Sequence, residues 1–499
     1  MRSRSAGSAS GSSARVDRGD AVTASLRVRP GLAFGPVRPR FRSRELGLLI
    51  LVGVGLSVGS VSLGATRSLQ GDGSLVVGPA DPVQLVLYLG ALFGAHLAQV
   101  LAGRRTDQIL LPAIGLLGGI GLLLMERLPQ DLAGSAFGNS LGLAGVQLVW
   151  LLIALTLISV LAIVVRSDTW LRRYKYTWAV AGIGLLLLTF VLGEETNGAL
   201  LTLRIGPVSG QPTELLKVIL VVFLAAYLSE FRPLLIDEST RIGPLRLPPV
   251  PYLLPMLAMW AIAFGIVVIQ RDLGAALLFF FVFLALVYVA TARTSYMVIG
   301  LILLVVGGIA AYDLFGHVRD RVEIWRDPFA DPSGAGYQVV QALIAFARGG
   351  LVGTGLGNGL PLVAGRLPIP AIHTDFPLAA LGEELGLVGI MAILGIYLVL
   401  IERGLRIAAS AADDFRALLA TGLAMVVGVQ AFIIAAGNLK IIPLTGITLP
   451  FISYGGSSLL ANAVVVGLLL ALSDRGVEAP PPPRPPRSRF DRLLRRGAR

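Results

Sequence analysis

Twelve stretches of the chain stay apolar for long enough to cross about 30 Å of hydrocarbon as helix, which takes roughly 20 residues. They cover residues 46–65, 83–102, 109–125, 146–165, 177–192, 212–228, 252–269, 273–290, 296–312, 385–401, 417–436 and 457–472, the tenth starting near Phe376. The pattern predicts an all-α polytopic membrane protein with about twelve transmembrane helices. Four polar segments interrupt or flank it. Residues 1–44 read as a disordered Arg-rich tail, too long and too polar to open a cleaved signal peptide. Residues 474–499 read as a Pro/Arg-rich arm beside anionic lipid. Between the ninth and tenth spans lies the longest connection, 315–375, which is not low-complexity. Tyr337, Val340, Leu343, Ile344 and Ala347 recur there at helical spacing and predict an amphipathic segment on the membrane surface. Before the twelfth span, residues 449–458 place Pro450 and the Gly455-Gly456 pair where a regular helix cannot form. Non-helical backbone at that depth survives only beside protein or water that satisfies it.

Composition agrees: 55% of residues are hydrophobic, 14% charged, and the mean hydropathy is +0.78. A soluble domain runs nearer a quarter charged. With no cysteine, disulfides, thiolate metal sites and a Cys nucleophile are excluded, and three histidines make a His-rich cage improbable. The basic excess, 42 Lys and Arg against 30 Asp and Glu, would suggest nucleic acid in a soluble protein. Most of these cations instead fall in the two tails and in alternate loops, as the positive-inside rule requires if both termini are cytoplasmic. Charge is therefore topology, and no nucleic-acid partner is expected.

Ionisable groups in or beside a span cost about 2.5–3.5 kcal/mol each on insertion scales, so each needs a partner, a wet cavity or a task. At the start of the sixth span, Glu214 and Lys217 share one helix face, either as a self-neutralising pair or as the wall of a cavity. Lys217 stands out because the chain has only Lys175 and Lys440 besides. The turn Gln270-Arg271-Asp272 sets a guanidinium and a carboxylate at the rim, with Asp272 placed to cap the next helix. His373, Thr374 and Asp375 enter the tenth span, and capping alone would explain them; it does not explain Glu383 and Glu384 further along. No Walker A loop or HExxH occurs, which argues against nucleotide-driven transport and against zinc hydrolysis.

In order along the chain, Gln211 to Lys217, Gln270 to Gly274, Asp331-Pro332 to Gln338, His373 to Phe376, Gly382 to Gly386 and Pro450 to Ser458 resemble the motifs of the SEDS family of cell-wall polymerases, the FtsW/RodA/SpoVE-like group. The resemblance implies a ten-helix core over 105–473, with the large extracellular loop 315–375 before the tenth helix of this chain. The helices within 45–104 are then two N-terminal additions, as in some RodA-type members. Arg271 stands where the family has Pro, Thr213 where it has Ser, and Pro377 follows the His-Thr-Asp-Phe motif.

What the resemblance implies is a peptidoglycan glycosyltransferase of the bacterial plasma membrane, polymerising lipid II at the outer face for elongation or division and releasing undecaprenyl pyrophosphate. Asp375 matches the family's essential aspartate, as general base or metal-assisted activator of the acceptor hydroxyl. Glu214, Lys217 and Asp272 belong in or beside its cavity. His373, Thr374, Glu383, Glu384, Arg271, Ser453 and Tyr454 are supporting candidates. Lys217, with Arg271, Arg326, Arg348 and Arg366 as helpers, could hold pyrophosphate oxygens. Mg²⁺ or Mn²⁺ could bridge Asp375 to that group, since oxygen ligands suffice; no nucleotide is needed. The expected partners are a class B penicillin-binding protein acting as transpeptidase, lipid II, and membrane lipids. A lipid II flippase or an ion-coupled transporter are the rival readings, though the charged groups gather at the outer rim and the motifs show no repeat of two halves.

Overall fold

The computed structural model describes residues 39–474 apart from 72, 74, 134–140, 197–198, 206–207, 238–239, 243–244, 248–253, 255–256, 259, 262–263, 266–267, 269 and 360–366. Both tails thus lie almost wholly outside the described residues. The helices are α1 (Ser43–Gly71), α2 (Pro82–Leu101), α3 (Leu110–Arg127), α4 (Gly142–Val164), α5 (Thr169–Arg173), α6 (Lys175–Leu192) and α7 (Pro212–Asp237). Then follow α8 (Leu273–Thr291), α9 (Thr294–Leu314), α10 (Gly316–Arg326), α11 (Tyr337–Gly349), α12 (Pro377–Ala409), α13 (Asp414–Asn438) and α14 (Gly456–Leu472). Among the described residues, eight helices are long and apolar enough to cross a membrane: α1, α2, α3, α4, α8, α9, α12 and α13. Helix α14 is shorter and apolar, and α6 and α7 carry the fifth and sixth expected spans. The seventh, 252–269, is described only in part; Leu254, Trp260, Phe264 and Val268 are helical, and Trp260 packs on Phe283 of α8 with ring centroids 4.9 Å apart.

Two small antiparallel sheets decorate the helices. β1 (Glu194–Thr196), β2 (Ala199–Ile205) and β3 (Val208–Gly210) link α6 to α7, and β4 (Thr240–Ile242) pairs with β5 (Leu245–Leu247) after α7. The hydropathy pattern did not predict them, because strands of three to seven residues leave no trace in a scan tuned to twenty.

Burial sorts the helices as apolarity demands. α13 is apolar and buried along most of its surface, with Phe432 the exposed exception along the span, as suits a helix near the centre. α9 is equally apolar, yet Gly300 is its one buried residue, so its surface is left for lipid. The described parts of the connection, 315–359 and 367–375, are folded, with α10 and α11 inside them. The face of α11 differs from the expected one, however. Val340, Ala342, Ala345 and Gly349 are buried, while Ile344 and Ala347 face out. One side of the helix rests on protein. Gly349 meets the Gly382 carbonyl of α12, an approach that only small residues permit.

Helix α12 begins at Pro377 and continues to Ala409, but Gly386 breaks its backbone (φ 67°, ψ −169°). There the chain 350–355 lies along it like a strand. Thr354 N donates to Glu383 O (2.9 Å), Gly355 N to Glu384 O (3.0 Å), Leu387 N to Gly350 O (3.0 Å) and Val388 N to Leu351 O (3.1 Å). Gly353, at φ +82°, touches the Glu384 carbonyl so closely that a Cβ could not fit. The carbonyls and amides freed by the kink are thus bonded within the protein, as a low-dielectric setting requires.

Candidate functional site

Lys217 is 2% exposed and fully occupied. Its ammonium donates to Glu214 Oε2 (2.6 Å) one turn away, to Gln430 Oε1 (2.7 Å) on α13 and to Asn462 Oδ1 (3.4 Å) on α14. Gln430 Nε2 in turn donates to Thr448 O (2.9 Å), and the Thr448 and Ser458 hydroxyls pair at 2.6 Å. Lys217 thus has three donor positions filled within the protein. It neutralises Glu214 and ties α7 to the connection between α13 and α14.

That connection, residues 439–455, is the irregular stretch whose backbone required partners, and it has them. Ser453 Oγ accepts from Leu449 N (2.8 Å) and donates to Thr374 O (2.7 Å). Tyr454 N donates to His373 O (2.8 Å), and Tyr397 OH donates to Pro450 O (2.6 Å). The N-termini of α7, α8, α12 and α14 gather around it: Thr213 bonds the Asp272 carboxylate, Gly274 packs on Thr445 and Ile447, Thr374 bonds Ser453, and Ser458 bonds Thr448. Helix N-termini carry partial positive charge, and Asp272 already meets that of α8.

Asp375 and Asp272 sit at this end, with Arg321 of α10 acting on both. Asp272 caps α8, accepting from Ala275 N (3.0 Å). Burial pushes its carboxyl above the usual range, and the nearby Glu214 adds to this, while the Ala275 amide, Arg321 and Thr213 oppose it. Asp375 is also raised chiefly by burial, with Thr374 and Arg321 pulling the other way. Its carbonyl is held by Asn438 Nδ2 (2.8 Å). Arg321 Nη1 donates to Leu444 O (3.0 Å). The open side of Gly446, at φ +75°, faces both groups: a Cβ there would lie 4.0 Å from Arg321 Nη1 and 4.0 Å from Asp375 Oδ2. A carboxylate and a guanidinium thus share one recess at the rim of the bundle. Neutral His373, its pKa lowered by burial, lies against Tyr454 with centroids 5.7 Å apart.

The remaining candidates separate from this cluster. Glu384 pairs with Arg127 of α3, and Glu383 with Arg348 of α11 at 2.8 Å. Both hold the glycine-rich strap rather than the Asp375 recess, so Arg348 has a structural counter-ion. Lys440 Nζ donates to the backbone carbonyl of Arg326, and Arg366 lies outside the described residues. Arg271 occupies φ +65° and donates its N–H to Val268 O (3.0 Å). Proline could do neither, so the turn that carries Asp272 cannot take this shape in a sequence with Pro there. Arg321, Asn438, Gln430 and Asn462 were not singled out beforehand. Gln430 and Asn462 carry a signal, an amide inside an apolar span, whereas Asn438 lies just past the eleventh span; Arg321 carries none that separates it from the other loop arginines. Among the described residues no three His, Asp or Glu side chains converge as a metal cage. The single carboxylate of Asp375 suits a divalent cation whose shell is completed by water and substrate oxygens, a mode Mg²⁺ favours.

The family model for FtsW/RodA/SpoVE cell cycle proteins matches residues 107–476. The chain belongs to that family. The match leaves α1 and α2 outside it. The peptidoglycan glycosyltransferase RodA of Mycobacterium tuberculosis is 41% identical over 452 residues, 90% of this chain and 93% of that protein. RodA of Mycobacterium leprae, which bears the same description, is 38% identical over 448 residues, again 90% and 93%. A chain from a solved peptidoglycan synthase complex, described as coordinating polymerization and crosslinking, superposes with a TM-score of 0.58 at 28% identity, covering 75% of this chain and 99% of that one. This FtsW/RodA/SpoVE member is a multi-pass membrane protein.

Proposed function

We propose that the protein is a peptidoglycan glycosyltransferase that polymerises lipid II, with Asp375 as the base. The observation that carries this reading is the recess at Gly446, where a half-buried carboxylate and a half-buried guanidinium face the same space. Joining an acceptor hydroxyl to a sugar carried on pyrophosphate, with inversion, requires a proton to leave the hydroxyl and charge to be absorbed on the departing pyrophosphate. Asp375 is suited to the first task because burial makes it a stronger base than an exposed aspartate. Arg321 is suited to the second: its guanidinium can present two parallel N–H groups to a phosphate. Asp272, capping α8, and the Glu214–Lys217 pair hold the elements that carry them.

Asp375 would hold Mg²⁺ or Mn²⁺ shared with the substrate; such an ion supplies charge neutralisation of the pyrophosphate. Orientation follows from the charge pattern, with both termini cytoplasmic and the recess on the outer face. By analogy with the synthase complex, a class B penicillin-binding protein crosslinks the product. The test mixes purified protein, such a transpeptidase, lipid II, a divalent cation and a β-lactam to block crosslinking. Linear glycan polymer should accumulate. Failure to form polymer, with lipid II merely redistributed across vesicle leaflets, would overturn the reading in favour of a flippase.

A further inference from the structure

Helix α1 lies outside the matched family region, and its 29 residues exceed the roughly 20 that hydrocarbon needs. Both of its ends are fastened. At one end Arg42 donates to Thr106 Oγ1 (2.6 Å) and Asp107 O (3.0 Å), just ahead of α3, and pairs with Glu45, which also meets His96 of α2. In mid-helix Leu56 packs into the space left by Gly119 of α3. At the other end Thr66 Oγ1 lies 3.0 Å from both Ser62 O of its own helix and Leu356 O, so its one proton is shared between them, and Gln70 Nε2 reaches Gly357 O and Asn358 Oδ1, both at 3.4 Å. A Cβ on Gly357 would lie 3.0 Å from Leu63 Cδ1 and 3.2 Å from Thr66 Cβ.

The segment 356–358 continues directly from the strap, residues 350–355, that bonds to 383–388 of α12. Arg127 bridges the two, pairing with Glu384 and donating to Gly357 O (3.4 Å). Helix α12 begins two residues after Asp375. A continuous chain of contacts therefore runs from Thr66 and Gln70 through the strap to the first turns of α12.

We propose that the outer end of α1 is a brace for the catalytic loop, with Thr66 and Gln70 as positioning residues that fix Asp375 at a distance. The proposal rests on the glycosyltransferase reading. It assigns the extra helices a role in catalysis within this chain. Misplacing a catalytic group by a fraction of an ångström slows the chemical step without weakening substrate binding, so the effect belongs in kcat.

The test uses the full chain with its transpeptidase partner and lipid II. Thr66→Val combined with Gln70→Leu should lower kcat about three- to tenfold at unchanged KM. Thr66→Ser, which keeps the hydroxyl, should match wild type. Amide hydrogen exchange over 350–358 and 383–388 should quicken in the double variant and nowhere else on α12. Because the chain has no cysteine, Thr66→Cys with Gly357→Cys offers a single disulfide; the two Cβ atoms would start 3.2 Å apart, under the usual range of about 3.5–4.5 Å, so closure needs a small outward shift, and the reduced form is the reference for the left-handed Gly357. Oxidation should close the bond and leave polymerisation at or above the reduced rate. Wild-type kcat and wild-type exchange in the Val/Leu variant would overturn the brace while leaving the enzyme reading intact. A disulfide that forms and stops polymerisation would also overturn it, showing that the loop must leave α1 during turnover. Wild-type protein that makes no polymer would overturn the enzyme reading itself, and the catalytic role of the brace with it.

Discussion

Replacing Arg321 with glutamine separates its two assignments, counter-charge to Asp375 and cation for the leaving group. The side chain gives up one hydrogen bond, to Leu444 O at 3.0 Å, worth about 1 kcal/mol of stability. The substitution also leaves Asp272 and Asp375 without their counter-charge, which adds to that cost, so thermal melting of the variant accompanies the assay. In the transition state it gives up a preorganised charge contact to the departing pyrophosphate, and contacts of that kind are worth about 2.7–4 kcal/mol, or about 10²–10³ in kcat. The pH profile adds a sign. Asp375 must be ionised to accept a proton, so activity rises with pH through its pKa. Burial already places that pKa above the ordinary value of about 4. Arg321 pulls it down, so Arg321→Gln should move the acid limb of the kcat profile further up. The assay is initial polymerisation rate on lipid II across a pH series, per mole of monodisperse protein. A variant that keeps its rate within about threefold, with the acid limb unmoved or shifted downward, would refute the assignment.

Lys217→Met strands the Glu214 carboxylate and should cost about 3–5 kcal/mol in thermal melting; adding Glu214→Gln should recover most of it, and a double variant no more stable than the single would contradict the pairing. Arg271→Gly should raise the melting temperature by relieving about 1–2 kcal/mol of left-handed strain, whereas Arg271→Pro, losing the bond to Val268 O, should lower it; the reverse order would show that the turn has another shape. Chelation with EDTA should slow polymerisation and added Mg²⁺ or Mn²⁺ restore it; full activity in EDTA would remove the shared-cation proposal for Asp375.

The helices were legible because hydrocarbon thickness dictates long apolar runs, and Glu214, Asp272 and Asp375 because ionisable groups are conspicuous beside them. What stayed hidden depends on partners far away in sequence. Pairing with Glu214 and lining a cavity were both open to Lys217 until the fold brought Gln430 and Asn462, from two other helices, to its remaining donor positions. Glu383 and Glu384 looked like members of the Asp375 cluster because helical spacing puts them two turns on. The kink at Gly386 and the arginines of α3 and α11 instead turn them toward the strap. The α11 face was misjudged because large side chains were weighed, when close approach to α12 selects small ones. Arg321 could not be picked from the loop arginines without the fold that brings it to Gly446.

The central claim is that the Asp375 carboxylate takes the acceptor proton. Asp375→Asn keeps the shape and the Asn438 contact to its backbone but cannot act as a base. In the lipid II polymerisation assay, with the transpeptidase complex intact by size-exclusion chromatography, this variant should yield no glycan polymer at any pH. Polymer at a rate near that of the wild type would contradict the account.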